Sequence, residues 1–355
     1  MSGAAGTIVT DAVIVGAGPA GLFAAFELGL LEVAAHLVDA LPEAGGQCIE
    51  LYPDKPIYDI PALPSCSGRE LVRRLLEQLR PIGTPMHLGQ TVQSLDRRPD
   101  GRFELVTSAG RRFDCAAVIV GAGAGAFSPR RLPVQGLDSH EGDQLRYRVT
   151  DAATYRGCQV LVFGDDETAI SAALELADPG SAAPPARITL VHRRESFRAP
   201  PAVLERFGAA RSAGRVHFVA AQPEGAIERD GRIVALRLID SAGAPIELAA
   251  DALLVLLGLS PKLGPIADWG LAMDKRQIRV DPARFETSVA GVFAVGDLVS
   301  YPGKRKLILC GFHEATLAAF AVAARCKPDS LGPLEYTTTS TRLHRVLGIT
   351  PADRR

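Results

Sequence analysis

The amino-acid sequence predicts an α/β fold in which one strand–turn–helix–strand pattern occurs twice. An apolar run rich in β-branched residues at 11–15 ends at a glycine turn, and a helical apolar pattern and a second apolar run follow. The same order begins again at residues 159–163, so that Gly164 takes the place that Gly16 holds in the first unit. A repeat at this spacing indicates duplication of a whole domain and not a solenoid.

Composition sets the broad class of the protein. The chain has 355 residues, of which 47% are hydrophobic and 22% charged, with a net charge of −1. This excludes a fully disordered chain and gives no global basic field that would recruit nucleic acid. The six cysteines show no CxxC pair and no zinc-ligand spacing, so we expect free thiols, a reducing compartment and no metal site. The N-terminus lacks the basic segment of a signal peptide. The apolar run near residues 249–259 is too short to span a bilayer and contains Asp251, so we expect a cytoplasmic protein without membrane contact.

Further elements follow from hydrophobic periodicity and turn residues. Residues 41–67 are rich in Pro and Gly and predict a long loop, of the kind that is often functional. The expected helices are 69–79, 170–176 and 311–326; the expected strands are 91–96 paired with 102–107, 117–120, 159–163 and 186–192, with further apolar segments at 252–258 and 291–296. The last 28 or so residues are expected to form a polar tail.

The first glycine turn, GAGPAG, has the spacing of a dinucleotide site. Gly16 permits the tight turn, Gly18 lets the backbone approach a pyrophosphate, and Gly21, after Ala20, lets helix and strand pack closely. The free N–H groups and the dipole of the following helix favour phosphate. Asp39 closes the second strand, where a carboxylate accepts hydrogen bonds from an adenosine ribose.

A second motif, GVFAVGD at residues 291–297, is an apolar strand that ends in Gly-Asp ahead of a predicted helix. Such a carboxylate can hold the ribityl hydroxyls of a flavin, with a helix N-terminus to stabilise charge on the ring. The alternative is that Asp297 is only a helix N-cap. Combined with the first turn, the motif favours FAD.

Three blocks in this order, GAGPAG, GGQC…LYPDKPIYDIP and GVFAVGDLVSYPGKRKLILCGFHEA, resemble the ferredoxin/flavodoxin–NADP⁺ reductases of the thioredoxin-reductase-like type. The resemblance implies two Rossmann-like dinucleotide-binding domains. A discontinuous FAD domain (1–125 and 290–355) would carry an inserted NADP(H) domain (126–289). It also implies a homodimer with ferredoxin or flavodoxin as the electron-transfer partner.

The resemblance also assigns roles to individual residues. Asp39 would bind the adenosine ribose, Asp297 the ribityl chain and Val92 the adenine through its backbone. Gln47 would contact the flavin, and Tyr52 would pack beside its ring with Tyr58 nearby. Phe127 would lie at the junction with the inserted domain, and Thr338 near a flavin of either subunit. No catalytic side chain is nominated; His313 and Glu314 either tune access to the flavin or are surface or packing residues.

The second unit carries a basic turn, HRRESFR at residues 192–198. His192, Arg193, Arg194 and Arg198 match the pattern that the related reductases use for the adenosine 2′-phosphate, which would select NADPH over NADH. The alternative is a solvated basic turn.

The turn that should receive the pyrophosphate of NADPH departs from the family's GGGDSA pattern. It reads GDDETA: Gly164 remains, but Asp166 replaces the second motif glycine and another acid precedes it. A Cβ hinders close approach of the backbone, and a carboxylate repels a pyrophosphate. This predicts weak NADPH binding or a displaced pyrophosphate.

The function predicted is FAD-dependent electron transfer between NADPH and ferredoxin or flavodoxin. One alternative is an FAD-binding module with weakened or lost NADPH use, and another is an NADPH diaphorase with a different acceptor. The absence of a CxxC pair argues against a disulfide as acceptor. Basic residues at 304–306 and at Arg342, His344 and Arg345 are expected either to dock an acidic carrier or to be solvated surface.

Overall fold

The chain folds into two compact units, each with its own sheet and core. The computed structural model describes residues 6–123, 125–149, 151–180, 183–328 and 335–349. Unit 1 consists of Met1–Ala126 and Pro261–Arg355, and unit 2 consists of Phe127–Ser260. The strands are β1 (Ile8–Val15), β2 (Ala35–Val38), β3 (Pro56–Ile57), β4 (Cys66–Ser67), β5 (Met86–His87), β6 (Val92–Arg97), β7 (Phe103–Thr107), β8 (Arg112–Val120), β9 (Ala126–Pro129), β10 (Leu145–Arg146), β11 (Gln159–Phe163), β12 (Arg187–His192), β13 (His217–Arg229), β14 (Arg232–Asp240), β15 (Pro245–Ala249), β16 (Ala252–Val255), β17 (Leu259–Lys262), β18 (Met273–Asp274), β19 (Gln277–Arg279), β20 (Val292–Ala294) and β21 (Val299–Ser300). The helices are α1 (Pro19–Leu30), α2 (Gln47–Glu50), α3 (Gly68–Leu79), α4 (Glu167–Leu176), α5 (Pro201–Ser212), α6 (Ile308–Cys326) and α7 (Thr341–Val346).

The main sheet of unit 1 has the order β5-β2-β1-β8-β7-β6, with β20 also paired to β8. The central strands are parallel and their ends are in register: Val15 lies beside Val38 in β2 and Val120 in β8. Strand β20 is parallel to β8 as well, with Ala294 opposite Val120. The carboxyl ends of these strands therefore meet at one edge, which is where open α/β sheets bind ligands.

Helices α1, α3 and α6 cover one face of this sheet and form its larger core. Pro19 opens α1 directly after the glycine turn, at the first helical position, where proline is favoured. Helix α6 has the length and apolar composition of a bilayer-spanning segment, judged by those two features alone. It lies against α1 and buries Glu314, Ala315, Ala318 and Ala319 in the core.

Unit 2 is built on a second sheet with the order β10-β16-β11-β12-β13-β14-β15. Its centre is parallel, with Phe163 of β11 beside Val191 of β12 and Val255 of β16. Helices α4 and α5 pack on one face, and an antiparallel meander of β13, β14 and β15 extends the edge.

The structure differs from the sequence expectations at several places. The boundary expected near residue 125 lies between Ala126 and Phe127. Residues 261–289 were expected in the inserted domain but belong to unit 1, because Ile266, Leu271 and Ile278 pack in the core on the second face of its sheet. The predicted long loop holds α2 and the β3–β4 pair, and the polar tail contains α7. The Gly-Asp turn does not run straight into an α-helix: Gly296 and Asp297 themselves lie in a 3₁₀ turn, Gly296–Leu298, and α6 begins only at Ile308.

Candidate functional site

The glycine turn of unit 1 has the geometry of an open phosphate cradle. Gly16 adopts φ +115°, and a Cβ there would lie 2.4 Å from the carbonyl oxygen of Gly121. A Cβ on Gly21 would lie 1.9 Å from the oxygen of Gly16, so helix and strand can pack only if both are glycine. A Cβ on Gly18 would meet no protein atom within 4 Å. Two glycines therefore serve packing, and Gly18 leaves space for a ligand.

The N-terminus of α1 has no side-chain cap. Among the described residues, no protein acceptor lies against the amides of Ala20 and Gly21. Donors of this kind are free for an anion and carry the positive end of the helix dipole. The cradle thus fits the pyrophosphate of a dinucleotide.

Asp39 is buried at the end of β2 and closes the same turn. Its carboxylate accepts hydrogen bonds from the backbone amides of Ala17 and, at 2.7 Å, Leu41. Burial raises the pKa of the Asp39 carboxyl, against the two amide hydrogen bonds, which lower it. The residue therefore holds the turn and the following loop together, and its binding to a ribose stays a prediction.

Two of the predicted flavin contacts lie together in unit 1. The amide nitrogen Nε2 of Gln47 lies 3.5 Å from Oδ2 of Asp297, although 250 positions separate them in the chain. The glycine turn lies close to the Gly-Asp turn, because a Cβ on Gly296 would be 3.5 Å from the Cβ of Ala20. The fold thus brings together the two motifs that indicate FAD.

Tyr52 stands at a groove that follows α2. The groove has a volume of about 490 Å³ and is lined by Leu51, Tyr52, Lys55, Pro56, Ile57, Tyr58 and Asp59. Burial raises the pKa of the Tyr52 hydroxyl, which accepts a hydrogen bond from the thiol of Cys48 at 3.7 Å. Cys48 is itself buried, and burial raises the pKa of its thiol, so it has the character of a packing residue and not of a nucleophile.

The remaining predicted contacts of unit 1 lie in three different settings. Val92 opens β6 and is 2% exposed as a whole residue, and its contact with adenine stays a prediction. Phe127 lies on β9, at the boundary of the two units. Thr338 is exposed in the turn that precedes α7.

A buried cluster around Glu314 was missed from the sequence. Glu314 is fully buried, and its carboxylate accepts hydrogen bonds from the amide of Gly296 at 2.6 Å and from the hydroxyl of Tyr301 at 2.8 Å. Lys304 completes the cluster with an ion pair to the same carboxylate. The cluster ties α6 to the turn that presents Asp297. A single acid inside the apolar run of α6, close in sequence to YPGK, was the signal that could have revealed it.

This cluster changes the interpretation of the basic residues. Lys304 has a side chain only 8% exposed, so it does not belong to a docking surface. Arg342 pairs with Glu32 and Glu335, and His344 is buried with Nε2 2.6 Å from the carbonyl of Thr337. The expectation that these three residues form positive patches is therefore wrong. Three basic side chains of the two segments remain exposed: Arg305, Lys306 and Arg345.

In unit 2 the corresponding glycine turn is occupied by its own side chains. Asp166 is the N-cap of α4, and Oδ1 accepts hydrogen bonds from the amides of Thr168 at 3.1 Å and Ala169 at 3.2 Å. The amide of Glu167 donates to the carbonyl of Arg198 at 3.1 Å. The first three amides of α4 thus have protein acceptors, whereas the amides of Ala20 and Gly21 in α1 have none among the described residues.

The second acid of this turn is neutralised within unit 2. Asp165 accepts a bidentate pair of hydrogen bonds from Arg198, at 3.0 Å from Nε and 2.8 Å from Nη2. The Arg198 guanidinium holds the pKa of the Asp165 carboxyl below its usual range. His192 lies nearby, with Nε2 3.9 Å from the same carboxylate. Arg193 and Arg194 are exposed and form no ion pair with any other described residue.

Two parallel-centred sheets, each with a glycine turn at the carboxyl end of a central strand, β1 in unit 1 and β11 in unit 2, define a protein with two dinucleotide-binding units. The family model described as pyridine nucleotide-disulphide oxidoreductase matches residues 10–321. The chain belongs to this family.

Relatives and solved structures agree with this assignment. The "Ferredoxin--NADP reductase" of Verminephrobacter eiseniae is 50% identical over 350 residues, covering 97% of this chain and 98% of the relative. A protein of the same name from Acidovorax sp. (strain JS42) is 52% identical over 346 residues, covering 96% of each chain. The thioredoxin reductase of Lactococcus lactis shares the fold with a TM-score of 0.63 at 24% identity, covering 89% of this chain and 99% of that one.

Proposed function

We propose that the protein is an FAD-dependent ferredoxin–NADP⁺ reductase that transfers electrons between NADPH and ferredoxin or flavodoxin. The observation that carries the proposal is the near full-length identity of about half to relatives of that name. The open cradle at α1 and the pairing of Gln47 with Asp297 support FAD as the resident cofactor of unit 1. When bound, FAD supplies the chemistry of accepting a hydride from NADPH and releasing single electrons to a carrier.

The residues of unit 1 would bind and orient the cofactor, and no proton-transfer triad is needed. The amides of Ala20 and Gly21 would bind the pyrophosphate. Asp39 would fix the glycine turn through the amide of Ala17 and would lie beside the adenosine ribose. Asp297 and Gln47 would bind the ribityl chain and flavin. Tyr52 would shield the ring from water.

Reduction of the purified, FAD-saturated protein by NADPH tests the proposal. Anaerobic titration is followed at the visible absorbance band of the flavin. Bleaching near one equivalent of NADPH, followed by reoxidation with ferredoxin, is the expected result. No bleaching with NADPH but full bleaching with dithionite would contradict it.

A second candidate function is an FAD-binding module with weakened NADPH use. The self-capped turn of α4 favours it, because the first three amides of the helix already donate to protein acceptors. A low-micromolar dissociation constant for NADPH would reject this candidate. Turnover with NADPH and ferricyanide but not with ferredoxin would instead identify a diaphorase.

For the acidic partner we propose docking at the exposed basic residues that remain, Arg305, Lys306 and Arg345. Charge reversal at Arg305 and Lys306 is expected to lower the ferredoxin-dependent rate and its salt dependence. The ferricyanide rate is the control and should not change. An unaltered ferredoxin rate would contradict the docking role.

A cytoplasmic homodimer completes the proposal. The free thiols of the six cysteines support a reducing compartment, and the burial of α6 residues against α1 supports a core role for that helix in place of a membrane contact. The dimer rests on the family resemblance, with the exposed apolar residues Leu307, Leu309 and Tyr336 as candidate interface. Sedimentation of a monomer at micromolar concentration would contradict it.

A further inference from the structure

Asp166 occupies the position that an anionic ligand takes at other helix N-termini. Its carboxylate accepts from the second and third amides of α4, and the carbonyl of Arg198 takes the first. A backbone bridge between Asp166 and Arg198, with the amide of Arg198 donating to the carbonyl of Asp165 at 2.7 Å, holds the basic segment across this turn. A pyrophosphate brought to this turn would meet the Asp166 carboxylate, and the first three amides of α4 already have protein acceptors.

The basic segment has two kinds of arginine. Arg198 is held by Asp165 through two hydrogen bonds. Arg193 and Arg194 are exposed and carry no ion pair with described residues, so their guanidinium groups are available to a phosphate monoester.

We propose that Asp166 excludes the pyrophosphate from α4 and leaves recognition of the dinucleotide to its 2′-phosphate. This inference rests on the proposed function, since it concerns the same NADPH-binding unit. The site would then bind NADP(H) weakly, and it would bind NAD(H), which has no 2′-phosphate, more weakly still. Removing the carboxylate should therefore strengthen the binding of both dinucleotides by a similar factor.

The test is calorimetric titration of the FAD-saturated protein with NADP⁺, NAD⁺ and adenosine 2′-monophosphate. Asp166→Gly frees the amides, and a glycine N-cap costs the helix only a few tenths of a kcal/mol. We expect NADP⁺ and NAD⁺ to bind at least about tenfold more tightly, equivalent to about 1.4 kcal/mol. Adenosine 2′-monophosphate has no pyrophosphate, and its affinity should not change.

Two further variants make the outcome specific. Asp166→Ser keeps a capping oxygen but removes the charge, so it should give an intermediate gain. Asp151 is also an N-cap in unit 2, accepting from the amide of Ala153 at 2.9 Å. Asp151→Gly is the matched control and should leave all three affinities unchanged.

Unchanged NADP⁺ affinity in Asp166→Gly would overturn the inference, and so would an equal gain for adenosine 2′-monophosphate, because that result would indicate a general charge effect. Binding is measured apart from turnover, so the two proposals can fail separately. If the affinities shift as expected but NADPH reduces neither protein, the inference stands and the proposed reductase function fails. If NADPH reduces both proteins and the affinities do not shift, the function stands and the inference fails.

Discussion

Removal of the Lys304 ammonium is expected to destabilise unit 1 severely. Lys304 and Glu314 form an ion pair with side chains 8% and 0% exposed. In Lys304→Met the Glu314 carboxylate would stay buried, with hydrogen bonds only from Gly296 and Tyr301. Breaking a buried pair by removing one partner costs about 3–5 kcal/mol. The ammonium also lies 5.7 Å from the centroid of the Tyr301 ring, and losing that contact adds to the cost.

Urea unfolding of the FAD-saturated protein measures this cost. Trp269, the single tryptophan of the chain, lies in unit 1 and reports its unfolding by fluorescence. Arg305→Met is the matched control: it removes a neighbouring but exposed cation and should change the free energy of unfolding by less than about 0.5 kcal/mol. FAD is kept at one concentration for all variants, because bound ligand adds to stability by mass action.

A double-mutant cycle tests the cause of the loss. Adding Glu314→Gln to Lys304→Met removes the unpaired charge, so the double variant should recover part of the lost stability. If Lys304→Met costs no more than Arg305→Met, the pair is not buried in solution and the reasoning is refuted. A double variant that is less stable by the sum of the two single losses would show that the two side chains do not interact.

Three further predictions concern the cradle and two titrating pairs. Gly18→Ala should fold normally but bind FAD more weakly, whereas Gly21→Ala should lower the melting temperature, because only the Cβ at position 21 meets the carbonyl oxygen of Gly16. Equal FAD affinity of Gly18→Ala and wild type would contradict the prediction that FAD binds at the glycine turn. Nδ1 of His36 lies 2.9 Å from Nε2 of His87, and burial together with the charge of Arg111 lowers the pKa of both imidazoles. The unfolded chain therefore takes up protons at a higher pH than the folded protein, and wild-type stability should fall as pH falls below 6.5. In a plot of melting temperature against pH, His87→Gln should make this fall shallower. Arg198 lowers the pKa of the Asp165 carboxyl below 3.8, so Asp165→Asn should be less stable than wild type by up to about 1 kcal/mol at neutral pH. This difference in stability should vanish as pH falls through the lowered pKa of Asp165 in the folded protein. A difference that persists in acid would show that the Asp165–Arg198 pair is not its cause.

The local sequence was sufficient for features that depend on neighbouring residues. GAGPAG after an apolar strand predicted the turn, the strand and helix α1, because the glycine spacing is itself the steric requirement of that turn. The amphipathic pattern at 69–79 predicted α3; the helix begins one residue earlier, at Gly68, and ends at Leu79 as predicted. The resemblance predicted Gln47 and Asp297 as flavin contacts, and the structure brings these two side chains within hydrogen-bonding distance of each other. Their contact with a flavin stays a prediction.

Only the tertiary structure decided what the charged residues do. Lys304 and Arg305 are adjacent basic residues in one segment, but the first lies buried against Glu314 and the second lies in solvent, a difference set by the packing of α6 within unit 1. The two aspartates of GDDETA were expected to repel a phosphate in the same way, yet Asp165 is neutralised by a side chain 33 positions away and Asp166 caps its own helix. Spacing along a chain records local backbone requirements, whereas burial and long-range pairing depend on which elements the fold brings together.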